Sequence, residues 1–128
     1  MSLEIQIKRD LDAARQDTAT VELTGSLDTA TAPELERGLI PLIEGDVRHL
    51  VFDLAGLNFL SSAGLRVFGI ARKKMKECGG QLAFVNMQPQ IEEVFEIIKA
   101  LPGLDVFRNM AELDAYLSAR QLRDRDDD

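Results

Sequence analysis

The N-terminal residues alternate in polarity. Leu3, Ile5 and Ile7 stand between Glu4, Gln6 and Lys8, and Ala19, Val21 and Leu23 repeat the pattern after a polar stretch from Arg9 to Asp17. A period of two marks strands with one buried face, so this region predicts a hairpin. Gly25-Ser26-Leu27-Asp28-Thr29 has the composition of a loop. The period then becomes helical. Thr31 with Glu34 three residues on, and Pro33 in the first turn, predict a helix start whose apolar face is Leu35, Leu39, Leu42 and Ile43. Pro41 predicts a kink or an early end, and Gly45-Asp46 a stop. His49–Leu54 carries a short, barely interrupted apolar run, as in a strand covered on both faces.

Ala55 to Leu60 reads as a loop, and Ser62 opens a helix with apolar positions Leu65, Phe68, Ala71 and Met75, closed by Gly79-Gly80. Gln81 to Asn86 predicts a further buried strand. Pro89 starts a helix carrying Ile91, Val94, Phe95 and Ile98 that stops before Pro102-Gly103. Leu104, Val106 and Phe107 predict a short strand, and Asn109 with Glu112 a last helix through Leu113, Tyr116 and Leu117. Strands and helices alternate after one hairpin. The expected fold is therefore α/β: a single layer of mostly parallel sheet, with one antiparallel edge strand, against about four helices. The domain is expected over residues 1–119, with 120–128 a charged, disordered tail.

Composition narrows this picture. A chain of 128 residues with 45% hydrophobic residues has the size of one domain and can bury a core without disulfides or metal. One Cys and one His exclude a disulfide scaffold and a four-ligand zinc cage, and no cofactor is expected. A net charge of −7, with one Tyr and no Trp, argues against nucleic acid. The N-terminus lacks a hydrophobic signal core, and no apolar run approaches the ~20 residues of a membrane span. A cytoplasmic protein is expected, and a monomer, since nothing forces an obligate interface.

In open α/β sheets the functional crevice lies beyond the carboxyl ends of the strands. Two segments lie there, Gly25 to Asp28 and Ala55 to Ala63. The second delivers Ser61-Ser62-Ala63-Gly64 to a helix N-terminus. A serine there can cap the helix, worth about 1 kcal/mol. It can equally be an exposed phosphate acceptor, because the helix N-terminus offers N–H donors and favours an anion. A phosphate would add about −1.5 to −2 charges to that surface.

Asp53-Leu54-Ala55-Gly56-Leu57-Asn58-Phe59-Leu60-Ser61-Ser62-Ala63-Gly64-Leu65-Arg66 resembles the signature of STAS-domain anti-sigma-factor antagonists. Leu23-Thr24-Gly25-Ser26-Leu27-Asp28, followed by Ala32-Pro33, resembles the first motif of the same family, and the order of elements agrees over about residues 3–118. The resemblance implies that Ser62 is the phosphorylated serine, with Ser61 as the alternative. It implies partner contacts at Gly25, Ser26, Asp28, Thr29, Leu57, Asn58, Phe59, Ser61, Gly64, Leu65 and Arg66. The implied partner is an anti-sigma factor that is also a serine kinase: the unphosphorylated form binds it and frees a sigma factor. Phosphorylation ends the binding, and a metal-dependent serine phosphatase restores it. Ser61 stands where many members have Asp, and Ala55 where many have Ser.

Other readings stay beside this one. A STAS module can serve as a scaffold or ligand-binding domain with no serine switch. Asp53, near the end of a central strand, resembles the acceptor of a receiver domain, which would also need an acidic pair such as Asp10 and Asp12 and a late lysine where Arg108 stands. A serine hydrolase lacks its nucleophile elbow, since Leu60 occupies the first glycine position and His49 lies upstream. A P-loop is missing altogether. Arg66, Arg72, Lys73, Lys74 and Lys76 make either a solvated face or a contact surface for an acidic partner. Leu57, Phe59 and Leu60 either fold into the core, or Phe59 and Leu57 form an exposed patch that a partner buries. Phe68 and Met75 are read as core, Cys78 as a core or helix-end residue, and His49 as structural.

Overall fold

A computed structural model describes residues 2–9, 18–100, 115, 117–119 and 121. The elements are β1 (Leu3–Arg9), β2 (Thr18–Leu27), α1 (Ala32–Glu44), β3 (His49–Leu60), α2 (Ser62–Glu77), β4 (Gln81–Val85) and α3 (Pro89–Ala100), and residues 115, 117–119 and 121 are also helical. The sheet order is β1-β2-β3-β4, with β1 antiparallel to β2 and the other pairs parallel. This is the α/β layer expected from the alternating elements. The expected hairpin connection falls mainly on 10–17, the short strand on 104–107 and the start of the last helix on 109–114. All three lie outside the described residues.

The helices share one face of the sheet. Val21, Leu23, Leu50, Phe52 and Leu54 are buried there under Leu35 and Leu39 of α1 and Val67, Phe68 and Met75 of α2. The ring of Phe52 lies 4.9 Å from that of Phe68 and 5.5 Å from that of Phe84, and Phe84 meets Phe95 of α3 at 5.1 Å. On the opposite face Thr20, Glu22, Val51 and Asp53 are only half-buried, and Gln81, Ala83 and Val85 are exposed. The expectation that His49–Leu54 and Gln81–Asn86 are covered on both faces is therefore corrected. Val51 is tolerated on the open face because β-branched side chains suit a half-buried pleat. At the sheet margin Arg9 reaches Asp46 at 3.2 Å, tying β1 to the turn before β3. A backbone hydrogen bond, and then Arg9, hold the Asp46 carboxyl below its ordinary pKa.

Helix α1 runs through Pro41 to Glu44 without ending early. Proline removes the hydrogen bond to the carbonyl four residues back, but Arg37 and Pro41 both lie on the exposed side, where water can serve that carbonyl. Helix α2 closes as its glycines predict. Gly79 has φ +76, Gly80 N–H donates to Met75 O and Gly79 N–H to Lys76 O, the two bonds of a Schellman end. Cys78 is the exposed residue at that helix end. Phe68 and Met75 are core, as their spacing predicts.

Two stretches expected to be loops are strand. β2 continues through Gly25 and Ser26 to Leu27, and β3 through Ala55 to Leu60. The cause is a pair of bulges in β3. Between the pairs Glu22↔Asp53 and Thr24↔Gly56, β2 advances two residues while β3 advances three; between Gly25↔Leu57 and Ser26↔Phe59 it advances one against two. Each extra residue shifts the side-chain alternation by one, so the buried positions run 54, 57, 60 rather than in steps of two. Gly56 sits where a Cβ would lie 2.6 Å from Thr24 Oγ1, so any larger residue at the first bulge would force the Thr24 side chain aside.

Candidate functional site

The carboxyl ends of β2 and β3 finish side by side, and α1 and α2 begin there. Leu27 pairs with Leu60, and Ser61 N–H donates to Leu27 O at 2.9 Å, so both strands end at one level. Beyond Leu27, Asp28 organises the entry to α1. Its Oδ1 accepts from the N–H groups of Ala30 and Thr31 at 3.0 Å each, while its own N–H donates to Thr31 Oγ1 at 2.9 Å. Thr31 Oγ1 donates to Ser26 O at 2.8 Å. Thr31 makes no side-chain cap of its own, so the Thr31–Glu34 capping box does not form; the Asp28 carboxylate instead fixes the turn just before the helix, and Asp28 O accepts from Ala32 N–H at 2.8 Å. Asp28→Ala is expected to cost about 1–2 kcal/mol, read as a lower urea midpoint. Ser26 Oγ donates to Asn58 Oδ1 at 3.3 Å, tying this loop to β3.

Ser61 is the N-cap of α2. Its backbone is extended, its Oγ accepts from Gly64 N–H at 3.4 Å, and its carbonyl accepts from Leu65 N–H at 3.0 Å. Ser62 is the first helical residue. Gly64 lets the helix sit directly on the strand ends: a Cβ there would lie 2.7 Å from Leu27 Cγ and from Leu60 Cδ1. Gly64→Ala is expected to cost about 1–3 kcal/mol through this overpacking, measured by thermal melting.

The implied partner-contact residues do come together at this end, but not as one exposed surface. Thr29 and Arg66 are exposed; Gly25, Asp28, Asn58, Phe59 and Leu65 are half-buried; Ser26, Leu57 and Gly64 are buried. Leu57 and Leu60 are fully buried core residues, which corrects the reading of an exposed apolar patch; Phe59 alone stays half-buried. The exposed acceptor expected at Ser62 is also corrected. Ser61 is 6% exposed and Ser62 5%. The cations Arg66, Arg72, Lys73, Lys74 and Lys76 are all exposed.

Two residues with no period to betray them complete the site. β4 pairs with β3 only from His49 to Asp53, so the edge of β3 beyond that point needs other partners. Gln88 Nε2 donates to Ala55 O at 2.7 Å. Gln121 accepts from Leu60 N–H at 2.7 Å and donates to Leu60 O at 2.7 Å. Gln121 was expected in a disordered tail; it is helical and 1% exposed, because its amide replaces a missing strand. The remaining tail residues, 120 and 122–128, lie outside the described residues.

His49 lies at the opposite end of β3 from Ser62, about 30–40 Å along a strand rising ~3.3 Å per residue, so no serine–histidine pair is assembled. Asp53 Oδ1 accepts from Ala55 N–H at 3.1 Å and from Asn86 Nδ2 at 3.3 Å, a structural role inside β3 where its pairing with β4 stops and the first bulge begins. Asp10, Asp12 and Arg108 lie outside the described residues. Among the described residues no group of His, Cys, Asp and Glu is placed to hold a metal ion, and no helix is long and apolar enough to cross a membrane.

A two-layer α/β module whose central strand ends lead into a helix capped by Ser61 and opened by Ser62 is the class that fold and site define. The chain matches the STAS domain model over residues 10–113, and it belongs to that family. It is 37% identical over 75 residues to the putative anti-sigma factor antagonist BtrV of Bordetella bronchiseptica, covering 59% of this chain and 65% of BtrV. It is 28% identical over 108 residues to the anti-sigma-B factor antagonist of Bacillus subtilis, covering 83% of this chain and 92% of that protein. Its fold is similar to that of the anti-sigma factor antagonist SpoIIAA, solved unphosphorylated (TM-score 0.62) and phosphorylated (0.60), at 19% identity; each match covers 73% of this chain, and 83% and 82% of SpoIIAA.

Proposed function

We propose that this protein is an anti-sigma factor antagonist whose binding is switched at Ser62. The unphosphorylated form binds an anti-sigma factor that is also a serine kinase, and so frees a sigma factor. In the switching step the Ser62 hydroxyl oxygen takes the γ-phosphoryl group of ATP held by that partner. ADP departs, and the hydroxyl proton passes to a base of the partner. A metal-dependent serine phosphatase reverses the modification. The observation that carries this reading is the placement of Ser62 as the first residue of α2, directly after a serine whose own hydroxyl is committed to the cap. The names of the relatives supply the partner class, and a helix N-terminus accommodates the phosphate.

A second reading has its own support. Ser61 and Ser62 are both buried, which favours a STAS module that binds its partner without a serine switch. The two separate by mass spectrometry after incubation with ATP and lysate of the cell that makes the protein. The switch expects one phosphate on wild type, stable to mild hydroxylamine, and none on Ser62→Ala. Ser62→Ala bait should retain a histidine-kinase-like ATPase partner. A phosphate on Ser62→Ala moves the acceptor elsewhere, loss on hydroxylamine treatment points to an acyl phosphate such as that of Asp53, and no phosphate at all supports the scaffold.

A further inference from the structure

β1 is an edge strand, and among the described residues it pairs only with β2. Its register is unbroken from Leu3 to Arg9, and one step before it Ser26 N–H donates to Ser2 O at 3.0 Å. In an antiparallel pair the N–H and C=O of one residue point the same way, and the direction alternates along the strand. The backbone groups of Glu4, Gln6 and Lys8 therefore face β2, and those of Leu3, Ile5, Ile7 and Arg9 face outward. Such a row is a template for another strand, usually blunted by proline, a bulge or charge. β1 has neither proline nor bulge. Its charge does not blunt it either, because Glu4 stands four residues before Lys8, where a second β1 brings the two together.

We propose that β1 is a self-association edge, which pairs antiparallel with β1 of a second copy of this chain about a two-fold axis at Gln6. In that register Gln6 faces Gln6, Ile5 faces Ile7 and Glu4 faces Lys8, the last two pairings occurring twice. The outward-facing groups form the ladder, so each Glu4–Lys8 pair is a non-hydrogen-bonded one, where side chains lie closest. Glu4 is exposed and has no ion pair among the described residues. Lys8 reaches Glu22 of its own chain at 2.9 Å, and Glu4 of the second copy extends this to a Glu–Lys–Glu row. Arg9, opposite Leu3, brings no unmatched charge, because Asp46 holds it at 3.2 Å. On the helix side Ile7 is 40% exposed, and Ile5 of the second copy comes to lie against it. The neighbouring registers lose both ion pairs: about Ile5, Glu4 faces Gln6; about Ile7, Lys8 faces Gln6. Leu3 lies beside Gly25, toward the Ser62 end of the sheet, so the two copies turn those ends in opposite directions and both stay open to a partner. Pairing at β1 is therefore independent of the serine switch. Seven residues of edge make a small interface and each copy carries −7, so the association is weak and the monomer expected from the sequence is the form at low concentration.

Sedimentation velocity of the full chain, from micromolar to near-millimolar concentration, should show a reversible monomer–dimer equilibrium. Glu4→Lys sets a lysine against Lys8 of the second copy and removes no contact within the chain. It should weaken the dimer at least tenfold and leave the melting temperature unchanged. Disulfide trapping reads the register, in a Cys78→Ser background that removes the only native thiol. Gln6→Cys should cross-link on mild oxidation, since directly opposed strand residues meet the spacing a disulfide needs. Glu4→Cys and Lys8→Cys should each cross-link at least tenfold more slowly alone, yet join readily when mixed, because the mixed pair keeps one Glu4–Lys8 contact. A chain that stays monomeric throughout, a dimer that Glu4→Lys leaves equally strong, or trapping of Gln6→Cys no faster than of Glu4→Cys alone, overturns the proposal.

Discussion

Ser62→Asp is expected to weaken binding of the anti-sigma partner about thirty- to several-thousand-fold. An unpaired charge forced into an interface costs roughly 2–5 kcal/mol, and each 1.4 kcal/mol is about one decade of affinity. The same carboxylate acts on the fold in two opposed ways. At the first residue of α2 it gains about 0.3–1 kcal/mol from the helix N-terminus. At a position only 5% exposed it must also be hydrated, which costs more than the helix returns. The expected protein has a native far-UV spectrum and a lowered melting temperature. Ser62→Asn separates charge from size: it is nearly isosteric with aspartate and neutral, and should bind within a few-fold of wild type. Calorimetric titration of the three proteins with the partner reads the outcome. Undiminished affinity in Ser62→Asp, or equal loss in Ser62→Asn, removes the electrostatic switch.

Much of this platform was legible in the chain, and the parts that were not share one cause. Alternation at Leu3, Ile5 and Ile7 and at Ala19, Val21 and Leu23 identified the antiparallel pair, and the short apolar run within His49–Leu54 identified the central strand. Reading stopped at Leu54 because a period of two fails there: the two bulges space the next buried residues three apart, which looks like loop. The serine pair was placed correctly at a helix start, since capping is local chemistry. Its burial was not legible, because that depends on what lies over it from distant parts of the chain. Gln121 is the sharpest case. Nothing in an amide among charges indicates that it will complete a strand edge 61 residues earlier. Coverage of the sheet was misjudged for a related reason. An apolar run such as Leu50-Val51-Phe52 reports what each face tolerates rather than what packs on it.

Phe52→Ala is expected to lower stability by about 3–5 kcal/mol, the range for deleting a buried aromatic side chain. The estimate belongs at the upper end here. Phe52 is fully buried, and its ring packs against those of Phe68 and Phe84, each pair adding about 0.5–1.5 kcal/mol beyond area alone. Domains of this size hold only about 5–15 kcal/mol in total, so the variant should melt tens of degrees lower or fold only in part. Val85→Ala, on the exposed face of β4, serves as control and should stay within about 0.5 kcal/mol of wild type. The comparison with Ser62→Asp is the informative one. Phe52 lies in the core beneath α2 and touches no partner, so its loss should reduce binding only by the fraction of molecules unfolded, and partner affinity per folded molecule should be unchanged. Ser62→Asp should show the converse, a folded protein that no longer docks. If Phe52→Ala weakens binding beyond its unfolded fraction at a temperature where it is fully folded, the sheet is not a passive support, and the position of α2 on Leu27 and Leu60 becomes part of the recognition itself.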